Sequence, residues 1–202
     1  MGRGYVSPNP LVGCVIVDKD HKFLSAGAHL KHGGAHAEVN AIKSIGDSSK
    51  LIGATVYVTL EPCSHQGKNP PCADALIKAQ IKKLVFGLQD HNPMVSCQGL
   101  EKIQSAGIEV EHFLRYKNHC KEICEQFIYH IKSRKPFIAL KVGTSLDGKI
   151  ALMSGESQWI TGEEARLHAR QLRAHYDATM IGAGTLEYDN PTLDFRGTGF
   201  EG

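Results

Sequence analysis

The 202-residue sequence contains no apolar run approaching the ~20 residues that a membrane-spanning helix requires. Residues 1–5 lack the apolar character of a secretory signal peptide. The 23 lysines and arginines form no long cluster and leave a net charge of +2, which argues against a strongly electrostatic nucleic-acid-binding protein. Six cysteines fit a reducing compartment better than a disulfide framework. We therefore expect a cytoplasmic protein that binds neither nucleic acid nor a membrane.

The length is large for one small α/β domain and suits one domain plus part of another. An apolar fraction of 42% is ordinary for a folded globular protein, so the chain can bury a substantial core. Predicted strands and helices alternate along the sequence, which is typical of the α/β fold class. Pro136 ends a predicted helix and marks the predicted boundary between a first domain, 1–135, and a second, 136–202.

The first domain contains three residues of metal-ligand type, in the order His36, Cys63 and Cys72. One imidazole and two thiolates supply three of the four ligands of a tetrahedral zinc ion, and the fourth position stays open for water, as in catalytic sites. Zinc brings the pKa of such a water near neutrality. Glu38 is placed to exchange protons with that water. This H-x-E sequence, followed by Pro-Cys and a second Cys, is typical of zinc nucleobase deaminases.

Two less specific interpretations exist for the same residues. In the first, the cysteines are simply buried apolar side chains. In the second, the ligands form a structural zinc site and Glu38 is incidental. The order of the four residues, each next to the end of a predicted element, favours the catalytic interpretation.

The predicted elements of the first domain explain how distant residues meet. A strand over 54–60 carries Cys63 to its carboxyl end, where α/β sheets commonly place ligand chemistry. Helices over 35–46 and 72–80 carry the other site residues at their amino ends. The apolar run 12–17 predicts a strand buried on both faces. The remaining predictions are strands at 23–28, 83–87 and 108–111 and helices at 99–106 and 116–132.

The other cysteines are predicted to be core residues. Cys14 lies inside the apolar run, where it serves as a small hydrophobic side chain. Cys120 and Cys124 belong to an apolar stripe at helical spacing. A metal cluster with His119 is the alternative, but no fourth ligand supports it, and a packed helix face explains the pattern.

The second domain begins as a further α/β unit. Strands are predicted at 137–142 and 178–183 from short apolar runs. Residues 161–164 fit a capping box, which predicts a helix from there to about Tyr176.

Three segments of the first domain resemble the bifunctional deaminase/reductases of riboflavin biosynthesis: PNPLVGC at 8–14, HAEV at 36–39 and TLEPCSHQGKNPPC at 59–72. Cytidine and tRNA-adenosine deaminases usually separate their two cysteines by two residues. Here eight residues lie between Cys63 and Cys72, a longer loop that is specific to the riboflavin enzymes. The histidine, lysine, asparagine and glycine of this loop suit a phosphorylated substrate.

Three segments of the second domain are similar to the reductase domain of that family, which is related to dihydrofolate reductase: KVGTSLDG at 141–148, GESQWIT at 155–161 and DNP at 189–191. The resemblance implies a three-layer, cytidine-deaminase-like α/β domain followed by the start of a dihydrofolate-reductase-like α/β domain. Two features depart from the family. Only seven residues precede Pro8, where the family has a helix, and 137–202 amounts to about a third of a reductase domain of roughly 200 residues. We therefore expect an incomplete, truncated reductase domain.

By this resemblance, the first domain deaminates 2,5-diamino-6-ribosylamino-4-pyrimidinone 5′-phosphate with zinc held by His36, Cys63 and Cys72, while Glu38 transfers protons. The second domain of the intact protein then reduces the ribose to a ribityl chain with NADPH. Substrate contacts in the deaminase are implied at Asn9, His29, His65 and Lys68, with help from the backbone around Glu61. In the reductase, substrate contacts are implied at Ser157, Arg173, Leu193 and Arg196, and NADPH contacts at Gly143, Trp159, Thr185 and Asp189.

Simpler roles exist for several of these residues. Asn9 can form an Asx turn, His65 and Lys68 can lie in a solvated loop, Trp159 can be a core residue, and Arg173 an exposed helical charge. Two other functions are considered for the whole chain: a base deaminase acting on nucleosides or RNA, and a non-catalytic, zinc-stabilised binding module. The modest charge argues against the first, and Glu38 argues against the second. We expect a homo-oligomer.

Overall fold

The computed structural model describes residues 2–67, 69–92 and 97–194. The chain divides into two compact units, Met1–Phe137 and Ile138–Gly202. No helix within the described ranges is both long and apolar enough to cross a lipid bilayer.

The first unit is built on a five-stranded mixed sheet in the order β2-β1-β3-β4-β5. β1 pairs antiparallel with both β2 and β3, whereas β3, β4 and β5 run parallel. The strands are β1 (Gly13–Val17), β2 (Phe23–Ala28), β3 (Thr55–Val58), β4 (Lys83–Phe86) and β5 (Glu109–His112). Because β3 and β4 are parallel and in register, the loops that follow them leave the same edge of the sheet.

Helices cover both faces of this sheet. On one face, α1 (Ala37–Ile45), α2 (Cys72–Lys78) and α3 (Gln98–Ser105) pack on the main core, which includes Ile16, Val56 and Leu84. On the other face, α4 (Lys117–Ile123) and α5 (Glu125–Ser133) bury a smaller cluster: Leu60, Leu88, Cys120, Cys124 and Ile128. Short 3-10 turns occur at 48–51 and 114–116. The α/β, three-layer architecture expected from the sequence is confirmed.

The burial of β1 differs from the prediction. Cys14 and Ile16 are buried in the main core, but Val15 between them is 38% exposed. The prediction of a strand buried on both faces was wrong because α4 and α5 do not cover the middle of the second face. Val15 instead lines a shallow apolar groove of about 410 Å³, together with Tyr57 and Tyr116.

The single helix predicted over 116–132 was also wrong. Cys124, which is 1% exposed, has ψ 9° and separates α4 from α5, and its Sγ lies 3.3 Å from the carbonyl oxygen of Leu11. Burying this side chain against the first segment of the unit redirects the chain. The core role predicted for Cys120 and Cys124 is confirmed, and His119 is exposed.

The second unit contains α6 (Glu163–Arg173) and α7 (Ala183–Asp189). The strands predicted at 137–142 and 178–183 were wrong, since neither segment is a strand. A strand needs a hydrogen-bonded neighbour, and the described part of this unit provides none. Every residue from 138 to 194 is at least partly exposed, so this stretch has no buried core.

The capping box predicted at the start of α6 was wrong as well. Gly162 occupies the N-cap position, with no side-chain cap. The carbonyl of Thr161 instead accepts a hydrogen bond from the guanidinium of Arg166. The helix ends at Arg173, three residues before the predicted end at Tyr176.

The close packing of α1 on β2 gives a first prediction about stability. A Cβ added at Gly27 would lie 2.3 Å from the carbonyl oxygen of Ala37 and 2.4 Å from the amide nitrogen of Ala41. Because both atoms belong to the backbone of α1, Gly27→Ala is expected to lower the free energy of unfolding by about 3 kcal/mol, measured by urea denaturation. Gly13→Ala is the matched control, since its nearest atom would be 3.9 Å away. Equal stability of the two variants would contradict this packing.

Candidate active site

Three elements of the first unit bring the predicted zinc ligands together. Cys63 follows β3, Cys72 is the first residue of α2, and His36 is the N-cap of α1. The Nδ1 atom of His36 lies 3.2 Å from Cys72 Sγ and 3.5 Å from Cys63 Sγ. All three potential ligand atoms lie within 4.8 Å of one another, and they form the one such group among the described residues.

This arrangement fits a zinc ion. Zn–N and Zn–S bonds of about 2.1 and 2.3 Å in a tetrahedron place nitrogen and sulfur about 3.6 Å apart. The observed separations of 3.2 and 3.5 Å are close to that value. One nitrogen and two sulfur donors are also the donor set that zinc prefers, and three protein ligands leave a fourth position.

The two cysteines interact directly. A hydrogen bond from the Cys72 side chain, with a further one from His36, lowers the pKa of the Cys63 thiol to about 4. The same contact with Cys63, together with burial, raises the pKa of Cys72 far above that of a free thiol. This contact favours the thiolate form of Cys63, which is the form that binds zinc.

Glu38 lies in the first turn of α1 and is only 3% exposed. Burial raises the pKa of its carboxyl group, and the nearby Cys63 sulfur raises it further. A carboxyl group that is buried beside the proposed ligands and accepts protons readily is suited to general acid–base chemistry.

Two asparagine side chains hold the backbone that precedes His36, a role that the sequence did not indicate for either of them. The Nδ2 atom of Asn40 donates to the carbonyl oxygens of Ala28, at 2.8 Å, and Ala35, at 3.2 Å. Asn69 Nδ2 donates to the carbonyl of Gly34 at 2.7 Å. The position of Asn40, one helical turn after His36, was a usable signal, whereas the contact of Asn69 depends on a separation of 35 residues.

The side chain of Glu61 makes a structural contact that the sequence did not indicate. Its side chain is 4% exposed, and its Oε2 atom accepts a hydrogen bond from the backbone N–H of Asp90 at 3.2 Å. Burial raises the pKa of this carboxyl group to about 7. The backbone N–H of Glu61 also donates to Leu88 at 2.8 Å. Glu61 thus joins the ligand-bearing end of β3 to the segment that follows β4.

The structure brings together two of the predicted substrate contacts of the deaminase. Asn9 Nδ2 lies 3.2 Å from His29 Nε2, and the His29 ring meets the ring of His36 edge-on, with centroids 5.4 Å apart. His65 is exposed, in the loop between Cys63 and Cys72. Lys68 lies outside the described residues.

All of the predicted reductase residues lie in the second unit. Trp159 is 70% exposed in the described part of this unit, with the Arg166 guanidinium 4.4 Å from the centroid of its ring. Arg173 Nη1 donates to the carbonyl of Asp194 at 3.0 Å. Ser157, Thr185 and Asp189 are exposed, Gly143 and Leu193 are half-buried, and Arg196 lies outside the described residues.

Comparison with known families agrees with this geometry. Residues 1–88 match the family described as the cytidine and deoxycytidylate deaminase zinc-binding region. Residues 136–201 match the RibD C-terminal domain.

Individual relatives match along almost the whole chain. The riboflavin biosynthesis protein RibD of Bacillus amyloliquefaciens is 45% identical over 195 residues, which are 96% of this chain and 52% of that protein. RibD of Escherichia coli K12 is 46% identical over 195 residues, again 96% of this chain and 52% of that protein. A crystal structure of a diaminohydroxyphosphoribosylaminopyrimidine deaminase/5-amino-6-(5-phosphoribosylamino)uracil reductase from Thermotoga maritima is 45% identical, with a TM-score of 0.88 over 96% of this chain and 55% of that one.

The fold of the first unit and its His-Cys-Cys group are those of the cytidine-deaminase-like class of zinc proteins. Along almost its whole length, the chain is similar to the riboflavin-biosynthesis deaminase/reductases. It spans about half the length of the curated relatives that it matches.

Proposed function

We propose that the first unit catalyses the zinc-dependent hydrolytic deamination of the diaminopyrimidinone ribosylamino phosphate of riboflavin biosynthesis. The observation that carries this proposal is the buried carboxyl group of Glu38 beside the group formed by His36, Cys63 and Cys72. The Thermotoga maritima relative is described as a diaminohydroxyphosphoribosylaminopyrimidine deaminase, and the RibD relatives as riboflavin biosynthesis proteins, which supports this substrate over other pyrimidines.

In this proposal His36, Cys63 and Cys72 hold the metal ion. Zinc, when bound, supplies a water that is nucleophilic near neutral pH. Glu38 accepts the proton that this water loses when its oxygen attacks the ring carbon bearing the amino group. Glu38 would pass this proton to the adjacent ring nitrogen. It would then take the second proton from the newly formed hydroxyl group and pass it to the amino group, so that the C–N bond breaks, one water is consumed and one ammonia is released.

The loop between Cys63 and Cys72 is proposed to hold the rest of the substrate. Asn9, on the segment before β1, is proposed to bind the pyrimidine, and His65 and Lys68 the ribosyl phosphate. A phosphate needs donors and positive charge, which a histidine and a lysine in one loop provide.

The second unit is proposed to be the start of an NADPH-dependent reductase domain that acts on the deaminated product. In the longer relatives this region would contribute contacts to NADPH from Gly143, Trp159, Thr185 and Asp189. It would contribute contacts to the substrate from Ser157, Arg173, Leu193 and Arg196. The domain boundary after residue 135 and a cytoplasmic homo-oligomer stay predictions.

The proposed function predicts that zinc-loaded protein releases ammonia from the diaminopyrimidinone ribosylamino phosphate without NADPH. The proposed chemistry involves only residues of the first unit, so the reductase cofactor is not required. Coupled glutamate dehydrogenase detection measures the ammonia, and metal-free protein is the control.

Cytidine and a single-stranded RNA, assayed in parallel, test the other deaminase function. Release from either of these, and not from the phosphorylated pyrimidine, would contradict the proposed substrate. A fully zinc-loaded protein that deaminates none of the three would favour a binding module.

A further inference from the structure

The geometry points to His29 as a positioning residue, which orients Asn9 and the backbone before His36 and does not itself touch the substrate. This inference rests on the proposed deaminase function. The family resemblance implied a substrate contact at His29. We assign a different role because both ring nitrogens are hydrogen-bonded to protein groups.

Each nitrogen of His29 has a partner that permits one role only. Nδ1 lies 3.0 Å from the carbonyl oxygen of Ala35, which can only accept, so Nδ1 carries the hydrogen. Nε2 lies 3.2 Å from the amide nitrogen of Asn9, which can only donate, so Nε2 is the acceptor. The two contacts specify the same tautomer. With the side chain also 3% exposed, His29 has no nitrogen left for a ligand.

The contact fixes the orientation of the Asn9 amide. One amide hydrogen is directed to His29, so the Oδ1 atom and the second hydrogen keep a defined direction. The backbone of Asn9 is held as well, since its N–H donates to the carbonyl of Val6 at 2.8 Å, and prolines flank it on both sides. Asn9 is only half-buried, so it can offer one acceptor and one donor to a ring that bears amino groups.

The other contact of His29 reaches the metal-ligand segment. Ala35 directly precedes His36, and its carbonyl oxygen accepts hydrogen bonds from both His29 and Asn40. The ring of His29 also packs edge-on against His36 at an interplanar angle of 80°. His29 therefore connects Asn9, a proposed substrate contact, to the backbone that positions His36, a proposed metal ligand.

The tautomer can be tested without any activity measurement. In ¹⁵N-labelled protein, two-bond correlations of the imidazole ring are expected to show a protonated Nδ1 and a bare Nε2 at His29, with the signals assigned by their loss in His29→Asn. Asn9→Ala is expected to shift the Nε2 resonance. A bare Nδ1, or an Nε2 resonance that does not respond to Asn9→Ala, would overturn the inference.

A double-mutant cycle tests how His29 acts in the reaction. His29→Asn keeps an amide donor near the Nδ1 position but removes the acceptor for Asn9. His29→Asn is expected to lower kcat/KM for ammonia release by about ten-fold, the effect of one lost hydrogen bond, and Asn9→Ala by about a hundred-fold, because it also removes the amide proposed to bind the pyrimidine. Because His29 acts through Asn9, the double variant is expected to lose about a hundred-fold, as Asn9→Ala does alone, rather than about a thousand-fold.

Additive losses would show that His29 contacts the substrate independently of Asn9, and would overturn the inference. His32→Asn, at an exposed histidine three residues along the chain, is the matched control and is expected to retain wild-type kcat/KM. If the wild-type protein releases no ammonia, the proposed function itself is contradicted. The NMR measurement of the His29 tautomer would then still show whether His29 orients Asn9.

Discussion

Replacing Glu38 with glutamine is expected to lower kcat for ammonia release by about a thousand-fold while leaving the zinc content unchanged, because general acid–base groups typically contribute 10²–10⁴-fold. Glutamine has nearly the size and hydrogen-bonding reach of the carboxyl group, so the buried first turn of α1 keeps its packing. It cannot accept the proton that the attacking water must lose. Steady-state kinetics, with zinc measured by atomic emission on the same samples, checks both parts of this expectation.

The exposed Glu101 on α3 offers a matched control for this change. Glu101→Gln removes the same charge at a position distant in sequence from His36, Cys63 and Cys72, and it is expected to keep wild-type kcat. A Glu38→Gln variant that retains more than about a tenth of the wild-type kcat would show that another group transfers the protons.

The parts of the fold that follow from local pattern were predictable from the sequence. The strand predicted at 23–28 coincides with β2, because a polar turn and a short apolar segment specify a hairpin locally. The group of His36, Cys63 and Cys72 was predictable for a related reason. His36 and Cys72 lie at the amino ends of helices, and Cys63 lies in the loop after β3. Because β2 and β3 are both antiparallel to β1, the segments that follow them leave the same edge of the sheet.

The parts that depend on distant contacts were not predictable. Nothing near Cys124 indicates that its side chain reaches the carbonyl of Leu11, 113 residues away, and this contact accompanies the break between α4 and α5. The exposure of Val15 depends on which part of the sheet those helices cover. In the second unit, apolar runs at 137–142 and 178–183 have strand propensity, but no neighbouring strand in the described residues pairs with them.

The same limit applied to the candidate site. The sequence identified His29 and Asn9 as residues of interest, but not that they contact each other across 20 residues. A histidine that binds a ligand and a histidine that holds an asparagine look identical in sequence. Only the partners of the two ring nitrogens separate these roles.

Cys72→Ser is expected to weaken zinc binding by about three orders of magnitude and to abolish measurable deamination at stoichiometric zinc. A serine hydroxyl does not ionise near neutral pH and is a poor zinc ligand, and only His36 and Cys63 would remain of the group. Titration against a competing chelator measures the affinity, and circular dichroism shows whether the variant stays folded.

Cys120→Ser provides the control that separates loss of a ligand from loss of a buried thiol. Cys120 is 6% exposed and packs with Leu60 and Leu88 on the other face of the sheet, so its replacement costs stability without touching the metal group. This variant is expected to unfold at a lower temperature than wild type and to bind zinc as tightly. If both serine variants keep zinc, Cys72 is not a ligand. If both lose it, zinc binding reports the stability of the fold and not the identity of the ligands.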